Sequence, residues 1–223
     1  MAVYLNNNKS NNYNNKMTIT LDKDGENIIE VVYQTKLTTL TRMFEMCDSI
    51  ISLDLSQLDT SNIKNMDNMF FKCASLKSLD LSSFNTSKVE YMNNMFSGCT
   101  ALESINITNL NTSKVKEMSN LFTNCNSLTS LDLSHLDTSK VSKMDNMFFN
   151  CASLKSLDLS NFNTSNVENM TNMFSGCMAL ESINITNLNT SKVEEMKNLF
   201  SYCFSLKSLD LSHLDTSNVN SMS

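Results

Sequence analysis

The chain has 223 residues, a formal charge of −6 and 41% apolar residues. That charge argues against a nucleic-acid or anionic-membrane partner, and no apolar run approaches the roughly 20 residues that a membrane-spanning helix needs. Proline is absent and glycine occurs three times, so turns must be built from Ser, Thr, Asn and Asp, whose side chains bond to nearby backbone.

In chain order, residues 1–16 hold seven asparagines and almost nothing apolar, the composition of a disordered tail. They lack the charged head and apolar core of a signal peptide. The sequence therefore suggests a cytoplasmic chain, a piece of a longer one, or export by another route. Residues 17–33 alternate and then run apolar around Asp24-Gly25, which predicts two short strands and a tight turn. The segment 17–42 is expected to form a β cap over the first repeat.

From residue 43 onward one unit recurs every 26 residues, starting at 43, 69, 95, 121, 147, 173 and 199. A period of this size points to a stacked solenoid rather than one compact domain. All seven cysteines hold one repeat position, Cys47, Cys73, Cys99, Cys125, Cys151, Cys177 and Cys203, between apolar neighbours. This is the pattern of a buried thiol used as a small hydrophobe. An odd count leaves one unpaired, and without a C-x-x-C pair a zinc site is not expected.

Within a repeat, Leu76, Leu79 and Leu81 read as a strand, Asn85-Thr86-Ser87 as a turn. Val89, Met92, Met95, Phe96 and Cys99 then recur at helical spacing, which predicts about two to three turns of helix. Such a unit cannot bury its apolar face alone. Stacked copies can, with the strands forming a parallel sheet. The Phe column (Phe44 to Phe200), the Met column (Met66 to Met222) and the Val/Ile column (Ile63 to Val219) are expected inside. Copies three apart match best: the segments starting at 95 and 173 differ at three positions, so a 78-residue block looks duplicated.

The string from Leu79 to Cys99, LDLSSFNTSKVEYMNNMFSGC, resembles the repeats of BspA-like leucine-rich-repeat surface proteins of bacteria, a domain of unknown function first noted in mycoplasmas. The resemblance covers residues 43–223, and 17–42 is similar to the family's lead-in. It implies an α/β leucine-rich-repeat solenoid of seven strand–turn–helix units with an N-terminal β cap. It also implies a secreted or surface-anchored protein that adheres to proteins or other cells.

Candidate binding residues line the strand face opposite the leucines. They are Ser78, Asp80 and Ser82; Ser104, Asn106 and Thr108; Ser130, Asp132 and Ser134; Ser156, Asp158 and Ser160; and Ser182, Asn184 and Thr186. With strands about 4.8 Å apart, the Asp/Asn column makes a negative ladder flanked by hydroxyls. It suits a basic protein segment or a glycan. A flat ladder supplies fewer than the six to eight oxygens that Ca²⁺ takes, so no metal or cofactor is expected. The bland reading is a solvated face whose carboxylates bond neighbouring hydroxyls.

The Thr-Ser pairs, from Thr60-Ser61 to Thr216-Ser217, are expected to cap the helices together with the Asp or Asn before each. His135 and His213 lie beside no nucleophile constellation, and a non-enzymatic recognition module is expected. The alternatives are a structural spacer or coat repeat, or an intracellular interaction scaffold. The apolar side of repeat seven (Phe200, Leu209, Leu211, Val219) is expected either to continue into further chain or to stack end to end with a second copy.

Overall fold

The computed structural model describes residues 16–20, 28–32 and 37–221. The Asn-rich tail and the Asp24-Gly25 turn lie outside the described residues. Two N-terminal strands, β1 (Lys16–Thr20) and β2 (Ile28–Val32), pair antiparallel. The other edge of β1 pairs antiparallel with β3 (Ser52–Asp54), the strand of the first repeat. The sheet order β2-β1-β3 thus adds two strands to the edge of the solenoid.

Each 26-residue repeat forms one coil of a stack. Strands of three residues occur in coils two and three, β4 (Ser78–Asp80) and β5 (Ser104–Asn106), and in coils five and six, β6 (Ser156–Asp158) and β7 (Ser182–Asn184). β4 pairs with β5 and β6 with β7, parallel, each residue opposite its repeat equivalent. The expected continuous sheet is therefore broken into pairs. A second parallel ladder runs one residue wide on another side of the coils, from Asn65↔Tyr91 through Glu195↔Ser221.

The predicted helix is absent: no α-helix occurs among the described residues. The Val-to-Cys segment is instead a chain of tight turns, and its backbone shows why. Alternate N–H groups close turns to the third residue back, as Met69 to Met66, Phe71 to Asn68 and Cys73 to Phe70. The intervening ones leave the coil, as Met66 to Tyr91, Asn68 to Asn93, Phe70 to Met95 and Lys72 to Ser97. In each of coils one to six two residues sit in the left-handed region, one of them always Asn: Asn68, Asn94, Asn120, Asn146, Asn172 and Asn198, with φ from 54 to 59°. A left-handed residue cannot lie inside a right-handed helix, and Asn tolerates that conformation better than most.

The apolar columns converge as expected. The seven Phe rings form one stack with centroids 5.1 to 5.9 Å apart and planes within 15° of parallel. The Met and Val columns are buried throughout coils two to five, as are Leu76, Leu102, Leu128 and Leu154, whereas Ile105 and Leu131 are partly buried. In coil one Phe44 is 4% exposed and Met46 57%, while coil seven shows Tyr202, Phe204 and Leu211 at 66%, 74% and 43%.

The thiols do more than fill space. Each inner Sγ donates to the Phe carbonyl of the preceding coil, from Cys73 to Phe44 (3.0 Å) through Cys177 to Phe148 (3.2 Å). Every cysteine is free. Burial pushes the thiols of Cys73 and Cys177 up to about 12, and those of Cys99, Cys125 and Cys151 also well up. Thiolate is the nucleophile, so the native protein is expected to label first at the half-buried Cys47 and Cys203. The five inner cysteines should label only on unfolding. Mass spectrometry after timed alkylation checks this; equal labelling at all seven would contradict the buried ladder.

Candidate functional site

The strand face follows from the alternation of a short β segment. In Ser78-Leu79-Asp80, leucine enters the core while Ser78 and Asp80 face solvent. The same alternation holds in β6. In β5 and β7 the central residues are Ile105 and Ile183, partly buried against the core. In coil four, Ser130 and Asp132 are likewise exposed around half-buried Leu131, without a regular strand. Parallel register sets Ser78 beside Ser104, Asp80 beside Asn106, Ser156 beside Ser182 and Asp158 beside Asn184. The structure therefore aligns the predicted columns within each strand pair.

The Asp/Asn side chains do not simply project. Each folds back on the residue two further along. The Asp80 carboxylate accepts the Ser82 amide at 2.9 Å, Asp132 that of Ser134 at 3.0 Å and Asp158 that of Ser160 at 2.9 Å. Asn106 and Asn184 accept both the amide and the hydroxyl of Thr108 and Thr186. These are local turns closed by a side chain, and they end each strand after three residues. The columns of Ser82, Ser134 and Ser160, and of Thr108 and Thr186, thus act partly as partners of the ladder.

These bonds favour the charged form. The Ser82 amide and hydroxyl, with the Asn106 side chain, hold Asp80 below its ordinary 3.8. Ser134 does so for Asp132, and Ser160 with Asn184 for Asp158. Asp54 and Asp210 are lowered in the same way by Ser56 and Ser212. A carboxyl lowered on folding adds stability above its unfolded pKa and loses it as pH falls through the folded one. Denaturant midpoints are therefore expected to be steady above about pH 5 and to fall below about pH 4. The combined change Asp80→Asn, Asp132→Asn, Asp158→Asn should flatten part of that fall; an unchanged profile would contradict it.

A fourth column escaped the sequence reading. Lys77, Glu103, Thr129, Lys155, Glu181 and Lys207 precede the serines and are all exposed. Lys207 forms an ion pair with Glu181, whose carboxyl it lowers. The signal was present at the same 26-residue spacing but varies in type. On the other flank, Asn109, Asn161 and Asn187 each donate to a Ser carbonyl one coil back. The histidines share that column: His213 Nε2 lies 2.9 Å from the Ile185 carbonyl oxygen, and His135 Nε2 is buried without a partner among the described residues.

The Thr-Ser pairs do not cap helices. Thr60, Thr86, Thr112, Thr138, Thr164 and Thr190 are buried, and each hydroxyl donates to a backbone carbonyl of the next coil, Thr138 to Asn163 at 3.0 Å. The preceding Asp or Asn instead accepts the amide of the following Ser, as Asn85 does for Ser87. The threonine column is thus an inter-coil bond ladder, not a surface. Among the described residues no group of three or more His, Cys, Asp or Glu is arranged to hold a metal, and no helix is long and apolar enough to cross a membrane.

No curated protein matches the chain. A solved structure, the leucine-rich-repeat protein of T. pallidum, matches at 20% identity and a TM-score of 0.44, over 84% of this chain and 86% of that one. The model of a family described as mycoplasma protein of unknown function, DUF285, matches residues 38–156 and 126–223. Together these two matches take in every coil of the stack, and the chain belongs to that family.

Proposed function

We propose that this protein is a non-enzymatic recognition module of the cell surface that binds a protein or a glycan through its polar strand face. The carrying observation is the array of Ser and Asp/Asn side chains, in register within each strand pair, on a continuously packed core. A rigid scaffold that presents repeated polar groups loses little conformational freedom on binding. The ladder carboxylates stay ionised at neutral pH and offer acceptors to basic side chains or sugar hydroxyls.

A second reading has its own support. The Asp and Asn side chains are already bonded to the Ser and Thr two residues on, as a spacer or coat repeat without a ligand would require. Protease shaving of intact source cells tests the surface reading. Release of peptides from residues 43–223 is expected. Protection of those peptides, alongside release of a known surface control, would overturn it and favour an intracellular scaffold.

A further inference from the structure

Away from the strand face, one lateral side of the coils carries a charge pattern opposite to the chain's total. The Val/Ile column points inward, with Ile63, Val89, Val115 and Val141 fully buried. The residues flanking it therefore point out. In coils one to four the flanking positions hold Lys64, Lys88, Lys114, Lys116 and Lys140, with Asn62, Glu90 and Ser142 at the rest, and Lys143 follows one position further on; every one of these lysines is exposed.

The coils bring them together. The Lys64 carbonyl accepts from Glu90, that of Glu90 from Lys116, and that of Lys116 from Ser142. Tyr91, Glu117 and Lys143 stand in the adjoining parallel ladder. Four coils at about 4.8 Å spacing make a patch about 14 Å tall.

The carboxylates there are too few to neutralise it. Glu90 pairs with Lys116 at 2.6 Å and Glu117 with Lys143 at 3.2 Å. Lys116 lowers the Glu90 carboxyl most, with Lys64 and Lys114 adding to the effect. Asp137 borders the patch near Lys140, its carboxylate occupied by Ser139. Lys88 donates only to the neutral Asn62 side chain. Lys64, Lys114 and Lys140 make no side-chain bond among the described residues.

In coils five and six the same columns carry Glu168 and Glu194, which line a polar cleft of about 460 Å³ beside Lys192, and in coil seven they hold the neutral Asn218 and Asn220. The basic surface is thus confined to one half of the stack.

We propose that this lysine face binds a short anionic glycan, sulfated or carboxylated. Its chemistry selects against the other polyanions. The only aromatic ring in these columns, Tyr91, sits under Lys116 at 5.8 Å, so no stacking platform for bases exists. No apolar side chain flanks the lysines to enter a bilayer. Their neighbours Ser87, Ser113 and Ser139 add hydroxyl oxygens suited to a polyhydroxylated chain, those of Ser87 and Ser113 while donating to Asn85 and Asn111. The chain's charge of −6 repels long polyanions, whereas a short one meets only the local field, which dies off over about 8 Å at physiological salt.

The test is calorimetric titration of the whole chain with a heparin-derived oligosaccharide, its desulfated form and a single-stranded DNA of equal length. The sulfated form is expected to bind, and to weaken steeply as salt rises. The triple change Lys88→Gln, Lys114→Gln, Lys140→Gln should weaken it about tenfold or more. Lys88→Arg, Lys114→Arg, Lys140→Arg should retain it. The pair Lys77→Gln, Lys155→Gln, beside the strand face, should leave it unchanged, which separates this site from the strand-face reading. No binding at low salt, equal binding by the Gln triple, or tighter binding of DNA would overturn the proposal.

Discussion

Replacing Phe122 by alanine is expected to cost about 3–5 kcal/mol, the range for a fully buried aromatic truncated in a core that cannot collapse. Its ring is completely buried and stacks on Phe96 at 5.3 Å and on Phe148 at 5.9 Å. Collapse is blocked because the surrounding backbone is tied to both neighbouring coils: Phe122 itself donates to Met147, and its carbonyl accepts the Cys151 thiol. Phe200 stacks on one ring only and is partly exposed, so Phe200→Ala should cost clearly less. In a stack stabilised by neighbour contacts, a central defect also uncouples the two sides. Urea unfolding of the Phe122 variant should therefore broaden or split, while the Phe200 variant keeps a single transition. Equal losses at the two positions would mean that the ring stack is not the spine of the fold.

Thr138→Val is expected to cost about 1–3 kcal/mol despite preserving shape, because it leaves backbone groups without partners. The Thr138 hydroxyl donates to the Asn163 carbonyl at 3.0 Å and accepts the Asn163 amide at 2.8 Å, so one side chain closes both. Valine fills the same volume but offers neither bond. Thr138→Ser keeps the hydroxyl and should recover most of the loss. Denaturant midpoints of the three proteins check this. A valine variant as stable as the parent would mean that the threonine column only fills the core.

That column illustrates what could be read beforehand and what could not. The inward positions were legible because the 26-residue period puts the apolar Phe, Met, Val and Cys in columns. The helix was misread because Val89, Met92, Met95, Phe96 and Cys99 recur at a spacing that linked tight turns share with a helix face. The discriminating signal was Asn94 and its equivalents, invariant between a methionine and a following Met or Leu. An amide that recurs between core residues has no reason to be there unless the backbone needs a left-handed residue. Once the helix is gone, the Thr-Ser pairs lose their capping role, and the buried hydroxyl is free to bridge coils.

On the strand face, the outward positions followed from alternation, and the register within each strand pair from the 26-residue period. The folding back of Asp80 onto Ser82 did not, since i to i+2 turns and free carboxylates have the same sequence. The lysine face was hidden for a different reason. Lys88, Lys114 and Lys140 are 26 residues apart, and the chain's net negative charge averages them away.

The most direct measurement of the central claim is the binding of purified chain, parent and Asp80→Lys, Asp132→Lys, Asp158→Lys variant, to arrayed host-matrix proteins and glycans. Circular dichroism would first establish that both are equally folded. The strand-face account predicts that the parent binds a defined set of ligands and that charge reversal abolishes binding to them. Identical binding by the two proteins would contradict it and leave the strand face a solvated surface.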